Sequence, residues 1–205
     1  LVTKIGNNHH RIPLFFEKIE KIIKIFQKDI KKYYSNSEIF NIFKSNKRLL
    51  LFLIEEKIII LNNYIVKKIT QGKYIEMNYP QYFSPEIKPF INEKWFLKNV
   101  QKELVEEIKK ELPDGFFEKR KKGENDGYIC KLIQNDSVED FVSYVTKNNY
   151  SLISKIVPSI YETNSFLMKN REPSLIEYAA FFGSIEIFQF LRFNNVDLTQ
   201  SLWIY

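Results

Sequence analysis

Apolar residues recur at three- and four-residue steps from Leu14 to Tyr34, with Phe15, Ile19, Ile22, Ile23, Phe26 and Ile30 on one side. Lys18, Lys21, Lys24, Lys28 and Lys31 repeat on another. This spacing predicts an amphipathic helix. Ser35-Asn36-Ser37 breaks it, a short segment follows over Glu38–Lys44, and Lys47–Thr70 reads as one or two helices divided near Asn62-Asn63, with Gly72 ending the run. Pro80, Pro85 and Pro89 lack amide donors and restrict the residues before them, so Tyr79–Phe90 is expected to be a loop with aromatic anchors. A further helix is expected from Ile91 to Leu112, with Trp95, Val100, Leu104 and Ile108 on one side and Pro113-Asp114-Gly115 as its stop. Glu118–Asp126, charged and carrying Gly123, is the expected boundary between a helical N-terminal domain (residues 1–122) and a second domain (residues 123–205).

The second domain repeats itself. Ser137, Val138, Glu139 and Phe141 of "SVEDFVSYVTKNNYSL" fall on Ser184, Ile185, Glu186 and Phe188 of "SIEIFQFLRFNNVDL". The offset is 47 residues at the serines and 46 where Asn148-Asn149 meets Asn194-Asn195. Two copies of one helix-plus-turn unit are the simplest source of such self-similarity. In the upstream copy Gly127–Gln134 is the first helix and Asp136–Thr146 the second, with Asp136 and Glu139 as its cap.

The downstream copy holds the chain's only two alanines, Ala179 and Ala180, side by side and three residues before Gly183. Small side chains let a helix approach its neighbours closely where larger ones would push the stack apart. Gly183 supplies a tight turn. Ser174 followed by Glu177 is a capping box, and Asn195 is suited to a left-handed helix exit.

Ala179-Ala180-Phe181-Phe182-Gly183, then Glu186–Leu191, then Asn195-Val196-Asp197 resemble an ankyrin repeat, although the family's Thr-Pro-Leu-His start is replaced by Ser174-Leu175-Ile176-Glu177. A standard repeat is about 33 residues, so the longer offset leaves about 14 extra, which fit Val157–Pro173. Leu198–Tyr205 would open a third unit. The C-terminal half also looks like the divergent ankyrin-repeat proteins of large protist families, which place a helical region of unknown function ahead of the repeats; "SNKRLLLFLIEEKIIIL" and "YPQYFSPEIKPFINEKW" are similar to that region. The resemblance implies an all-α solenoid of helix pairs that binds a protein through turn tips and exposed first-helix positions. These map to Arg171, Pro173, Phe181 and Phe182, while Ser174, Glu177, Ala179, Ala180, Gly183, Asn195 and Asp197 hold the repeat. A chain that begins at Leu1 and ends in the apolar run Ser201–Tyr205 is read as a piece of a longer protein whose repeats continue past Tyr205.

Composition narrows the chemistry. At 44% apolar and 16% aromatic over 205 residues the chain is expected to fold around a sizeable core. Its single cysteine, Cys130, forms no intramolecular disulfide, which points to a reducing, intracellular and cytoplasmic place. No cleavable targeting signal is recognised, and Leu49–Leu61, interrupted by Glu55-Glu56-Lys57, is core rather than a membrane span. The charge of +6 comes mostly from lysine in a chain crowded with Lys, Ile, Asn, Phe and Tyr, a bias that AT-rich coding would produce.

No catalytic motif emerges. His9 and His10 are adjacent and isolated, which suits a terminal segment rather than a zinc site. Glycine-rich phosphate loops and nucleophile elbows are absent, and the paired carboxylates Glu55-Glu56 and Glu106-Glu107 point about 100° apart on a helix. Cys130 sits in an apolar run as a small hydrophobe. The expectation is a non-enzymatic protein binder with no metal, cofactor or small-molecule substrate. The alternative is a basic amphipathic-helix binder of nucleic acid or an anionic membrane through Lys18, Lys21, Lys24 and Lys28; Tyr33, Tyr34, Phe40 and Phe43, interleaved with lysines, are candidates to stack bases but read better as core.

Overall fold

Side-chain caps set where several helices begin. Ser35 Oγ accepts the Glu38 amide at 3.3 Å while the Glu38 carboxylate accepts the Ser35 amide at 2.7 Å, a reciprocal box. Asn46 and Asn62 each accept the amide three residues on, from Leu49 at 2.9 Å and Ile65 at 3.0 Å. A cap satisfies an amide that the first helical turn leaves without a partner.

A computed structural model describes residues 13–164, 167 and 172–198. The fold is all-α, and among the described residues the one extended pairing is an isolated antiparallel bridge between Lys155 and Ser174. The chain divides into two compact units, Leu1–Glu124 with Thr163–Ser165, and Asn125–Glu162 with Phe166–Tyr205.

The first unit contains α1 (Pro13–Ile25), α2 (Gln27–Tyr33), α3 (Asn36–Phe43), α4 (Lys47–Glu55) and α5 (Asn63–Ile69). The one-turn helices α6 (Lys73–Glu76), α7 (Tyr79–Tyr82) and α8 (Ser84–Ile87) follow, then α9 (Lys94–Asn99), α10 (Lys102–Lys109) and α11 (Phe116–Lys122). Its core joins Phe16, Ile19 and Ile23 of α1 to Leu49, Leu50 and Leu53 of α4 and Leu104 and Ile108 of α10. Asn36 closes one irregular segment by lending its amide as a surrogate backbone: it accepts the Ile60 amide at 2.9 Å and donates to the Ile60 carbonyl at 2.5 Å.

Three sequence expectations change here. Tyr79–Phe90 is not a loop but three short helical turns, because Pro80, Pro85 and Pro89 each sit in a first turn, where a missing amide breaks no intrahelical bond. Its aromatic anchors are real: Tyr79, Tyr82 and Phe83 are fully buried. Ile91–Leu112 is two helices, since Val100 between them is extended, and Asn99 Nδ2 donates to the Trp95 carbonyl at 2.6 Å, a local bond that competes with helix continuation. The face that α1 buries is Phe16, Ile19 and Ile23, while Ile22 and Phe26 are exposed. Arg48 fixes that rotation in part, its guanidinium 4.2 Å from the Phe16 ring centre.

At the end of α11, Gly123 takes φ +73°, and its carbonyl accepts both the Thr163 hydroxyl at 2.8 Å and the Thr163 amide at 3.1 Å. The second unit contains α12 (Tyr128–Gln134), α13 (Val138–Lys147), α14 (Leu175–Phe182) and α15 (Ile185–Phe193). α12 packs on α13 and α14 on α15, while α12 also packs on α14 and α13 on α15.

Candidate functional site

The two helix pairs of the second unit repeat the main backbone bonds of their turns and helix ends. In the first, Asp136 N donates to the Ile133 carbonyl and Ser137 N to the Leu132 carbonyl; in the second, Gly183 N donates to Ala180 and Ser184 N to Ala179. At the far end of the second helices, Asn149 N and Tyr150 N donate to Thr146 and Val145, as Asn195 N and Val196 N do to Arg192 and Leu191. Asn148 and Asn194 each turn a side-chain amide back onto a carbonyl four residues earlier at 2.8 Å. Asn149 and Asn195 are both left-handed, at φ +48° and +59°. The register of these bonds is the 47-then-46 offset of the sequence.

One expectation fails at the turn. Asp136 does not cap its own helix α13, whose start at Ser137 has no side-chain cap. Asp136 stands at the position of Gly183, at φ +51° against +69°, and its carboxylate reaches across to accept the Glu186 and Ile187 amides of α15, both at 3.0 Å. An Asp tolerates the left-handed backbone better than most residues, and its charge suits a helix N-terminus. Ser184 Oγ donates to the Ile133 carbonyl, Gln134 Nε2 donates to the Tyr178 hydroxyl at 2.9 Å, and the Phe141 and Phe190 rings meet edge to face at 6.1 Å. The first pair therefore holds the second through Ile133, Gln134, Asp136 and Phe141. The sequence marks none of these as a contact between the pairs, and the one signal it offers is the offset that lays Asp136 on Gly183.

The predicted surface residues fall in different places. Arg171 lies outside the described residues, as do His9 and His10. Pro173 is buried at the neck of the long connection, its carbonyl accepting the Ile156 amide at 2.7 Å. Phe181 and Phe182 are half-buried against the core, with ring centres 5.1 Å apart and Phe182 4.7 Å from Tyr178. By the offset Phe181 occupies the place of Gln134, a residue that touches the following pair. Among the positions that hold the repeat, Ser174 and Glu177 form the reciprocal cap, Ala179 is fully buried, Ala180 half-buried and Asp197 exposed.

Cys130 stands where the second pair has Glu177. Burial pushes its thiol up to about 12, against a smaller opposing effect of the Tyr178 hydroxyl bonded to it. A thiol held neutral is a poor nucleophile. Burial also raises Tyr178, with Glu162 adding to the shift.

The first unit holds a buried charged cluster. Arg120, in the stretch read from sequence as a charged boundary, is almost wholly buried and grips both oxygens of Glu86 through one nitrogen, at 2.9 and 2.8 Å, while donating to the Tyr82 carbonyl at 3.2 Å. Glu55 is 3.9 Å away, and burial raises its carboxyl despite Arg120. Lys47, fully buried, lies over the Tyr79 and Tyr82 rings at 5.4 and 5.1 Å. Burial raises both tyrosines. Enclosing a charge in this way is costly unless partners replace its water, as Glu86 and the Tyr82 carbonyl do for Arg120. Tyr33 and Tyr34 are exposed whereas Phe40 and Phe43 are core, which divides the aromatic set offered for base stacking.

Among the described residues no group of three or more His, Cys, Asp or Glu is placed to hold a metal ion, and no helix is long and apolar enough to cross a membrane. The chain matches no protein-family model, no curated protein and no solved structure.

Proposed function

We propose that the chain is a non-catalytic protein-binding module, in which stacked helix pairs of ankyrin type present the end of α14 to a protein partner. The observation that carries this reading is the duplicated bond pattern together with the cross-pair contacts of Asp136, Gln134 and Ser184. A unit that repeats its backbone and grips its successor is the element of an α-solenoid, whose elongated surface serves recognition. The adjacent Phe181 and Phe182, half-buried and apolar at a helix end, supply a contact of the kind interfaces use. The buried, neutral Cys130 supports the absence of thiol chemistry at this surface.

The test compares the wild type with Phe181→Ala/Phe182→Ala and the milder Phe181→Leu/Phe182→Leu, each checked for unchanged helicity and melting. Proteins retained from cell extract in a nuclease-resistant way, and lost with the alanine pair, are the expected result. Equal retention by all three overturns the placement of the surface. Retention that nuclease abolishes overturns the protein-binding reading.

A further inference from the structure

The helix α2 buries none of its residues. Helices this short are marginal in water without packing, and only Ile30, half-buried against the core of the first unit, ties α2 down, which leaves its other sides open to something that covers one of them. Backbone bonds continue from α1 through Phe26, whose amide donates to Ile22 at 3.1 Å and whose carbonyl accepts Ile30 at 2.9 Å, so the two helices run on in sequence over about 30 Å with a local break at Phe26 (φ −91°, ψ 8°). Ile25 is 75% exposed, Phe26 53% and Tyr33 69%. Projected at 100° per residue, they share with Leu14 and Ile22 an arc of about 120° beside the one that faces the core. This stretch is apolar over a width that the rest of the first unit only half covers.

Lysines border this stripe. Lys18 lies within it and Lys21, Lys28 and Lys32 along its outer edge; Asp29 is the carboxylate inside it. Lys18, Lys21 and Lys28 have no acidic partner among the described residues, whereas Lys24, on the opposite side, pairs with Glu56 at 2.7 Å. Over residues 13–34 six lysines face three carboxylates.

We propose that the α1–α2 stripe is a docking surface for an anionic phospholipid membrane. Ile22, Ile25, Phe26 and Tyr33 enter the boundary between headgroups and acyl chains, and the bordering lysines extend to lipid phosphate. A nucleic acid would use the lysines and leave Ile22 and Ile25 in water. A second copy of the chain would set like-charged borders against each other. This inference is independent of the proposed role of the helix pairs.

The test is sedimentation of the full chain with vesicles of equal parts phosphatidylserine and phosphatidylcholine, beside pure phosphatidylcholine. Binding to the mixed vesicles alone, weakening as sodium chloride rises, is expected. Lys21→Gln/Lys28→Gln/Lys32→Gln lowers the affinity about five-fold per lysine, about a hundredfold together. Ile25→Asp/Phe26→Asp abolishes binding with the circular dichroism unchanged. No sedimentation with mixed vesicles overturns the proposal. So does an aspartate pair that binds like wild type. Should the aspartate pair unfold, Phe26→Trp decides: emission from that position shifts to the blue on mixed vesicles if the stripe inserts, and stays fixed if it does not.

Discussion

The first helix pair of the second unit gives and the second receives. Both turns share two backbone bonds, to which the first adds Val138 N to the Asp136 carbonyl, yet the first places Asp136 at the left-handed position and the second places Gly183 there. Glycine takes that conformation without strain and offers nothing further. Asp136 accepts some strain and uses its carboxylate to hold α15. The same exchange recurs along the pair: Leu132 against Ala179, Cys130 against Glu177, Gly127 against Ser174. One backbone plan is thus closed by bulk and a cross-pair carboxylate in one copy, and by small residues and a local cap in the other.

Swapping residues between copies breaks this comparison most strongly in the core. Leu132→Ala leaves a cavity and is expected to cost about 2–5 kcal/mol, while the reverse change, Ala179→Leu, overpacks a fully buried site for about 1–3 kcal/mol. Chemical denaturation of both variants checks the order. Cys130 gives the next largest effect. Its thiol titrates near 9 when unfolded and about 12 when folded, so above pH 9 the unfolded chain sheds a proton that the native one keeps. Stability then falls with rising pH, by about 1 kcal/mol per unit, and Cys130→Val removes the part of that slope between pH 9 and 10, below the range where the buried tyrosines add a slope of the same sign.

Asp136→Ala is expected to cost about 1–2 kcal/mol for the lost cap of α15. Asp136→Gly should be milder than the alanine variant by about 1 kcal/mol, because it loses the same bonds but relieves the left-handed strain. Equal melting of the two would show that the carboxylate alone matters. The smallest effect is Ser174→Ala, about 1 kcal/mol, read as earlier fraying of α14 in amide hydrogen exchange. Gly127→Ser should return less than that, because a Cβ there meets Asn125 Oδ1 at 3.1 Å, the atom that accepts the Gly127 amide.

What the sequence makes legible is local. Ser174 with Glu177, Asn62 and the left-handed Asn195 announce themselves because their partners lie within a few residues. The repeat offset is legible too, since it compares one stretch with another. Interactions across tens of residues are not: nothing near Arg120 in the chain marks it as core, because Glu86 and Tyr82 lie 34 and 38 positions away. Asp136 reads as the cap of the nearest helix, and only folding brings α15 within its reach. The prolines at 80, 85 and 89 mislead for a different reason. A proline that forbids the interior of a helix is welcome at its start, and three starts in succession look like a loop.

Gly123 has a consequence in the language of mutation. Its backbone at φ +73° penalises any side chain, and a Cβ built there would stand 2.7 Å from Thr163 Oγ1, the hydroxyl that donates to Gly123's own carbonyl. Each objection has its own remedy elsewhere in this chain: asparagine tolerates a left-handed turn at residues 78, 149 and 195, and alanine fits a tight approach at 179. At Gly123 neither remedy is open, since the Cβ that asparagine and alanine share is the atom that collides with Thr163. The position has an alphabet of one letter, and any second letter would need both a change at Thr163 and a tolerance for the left-handed turn.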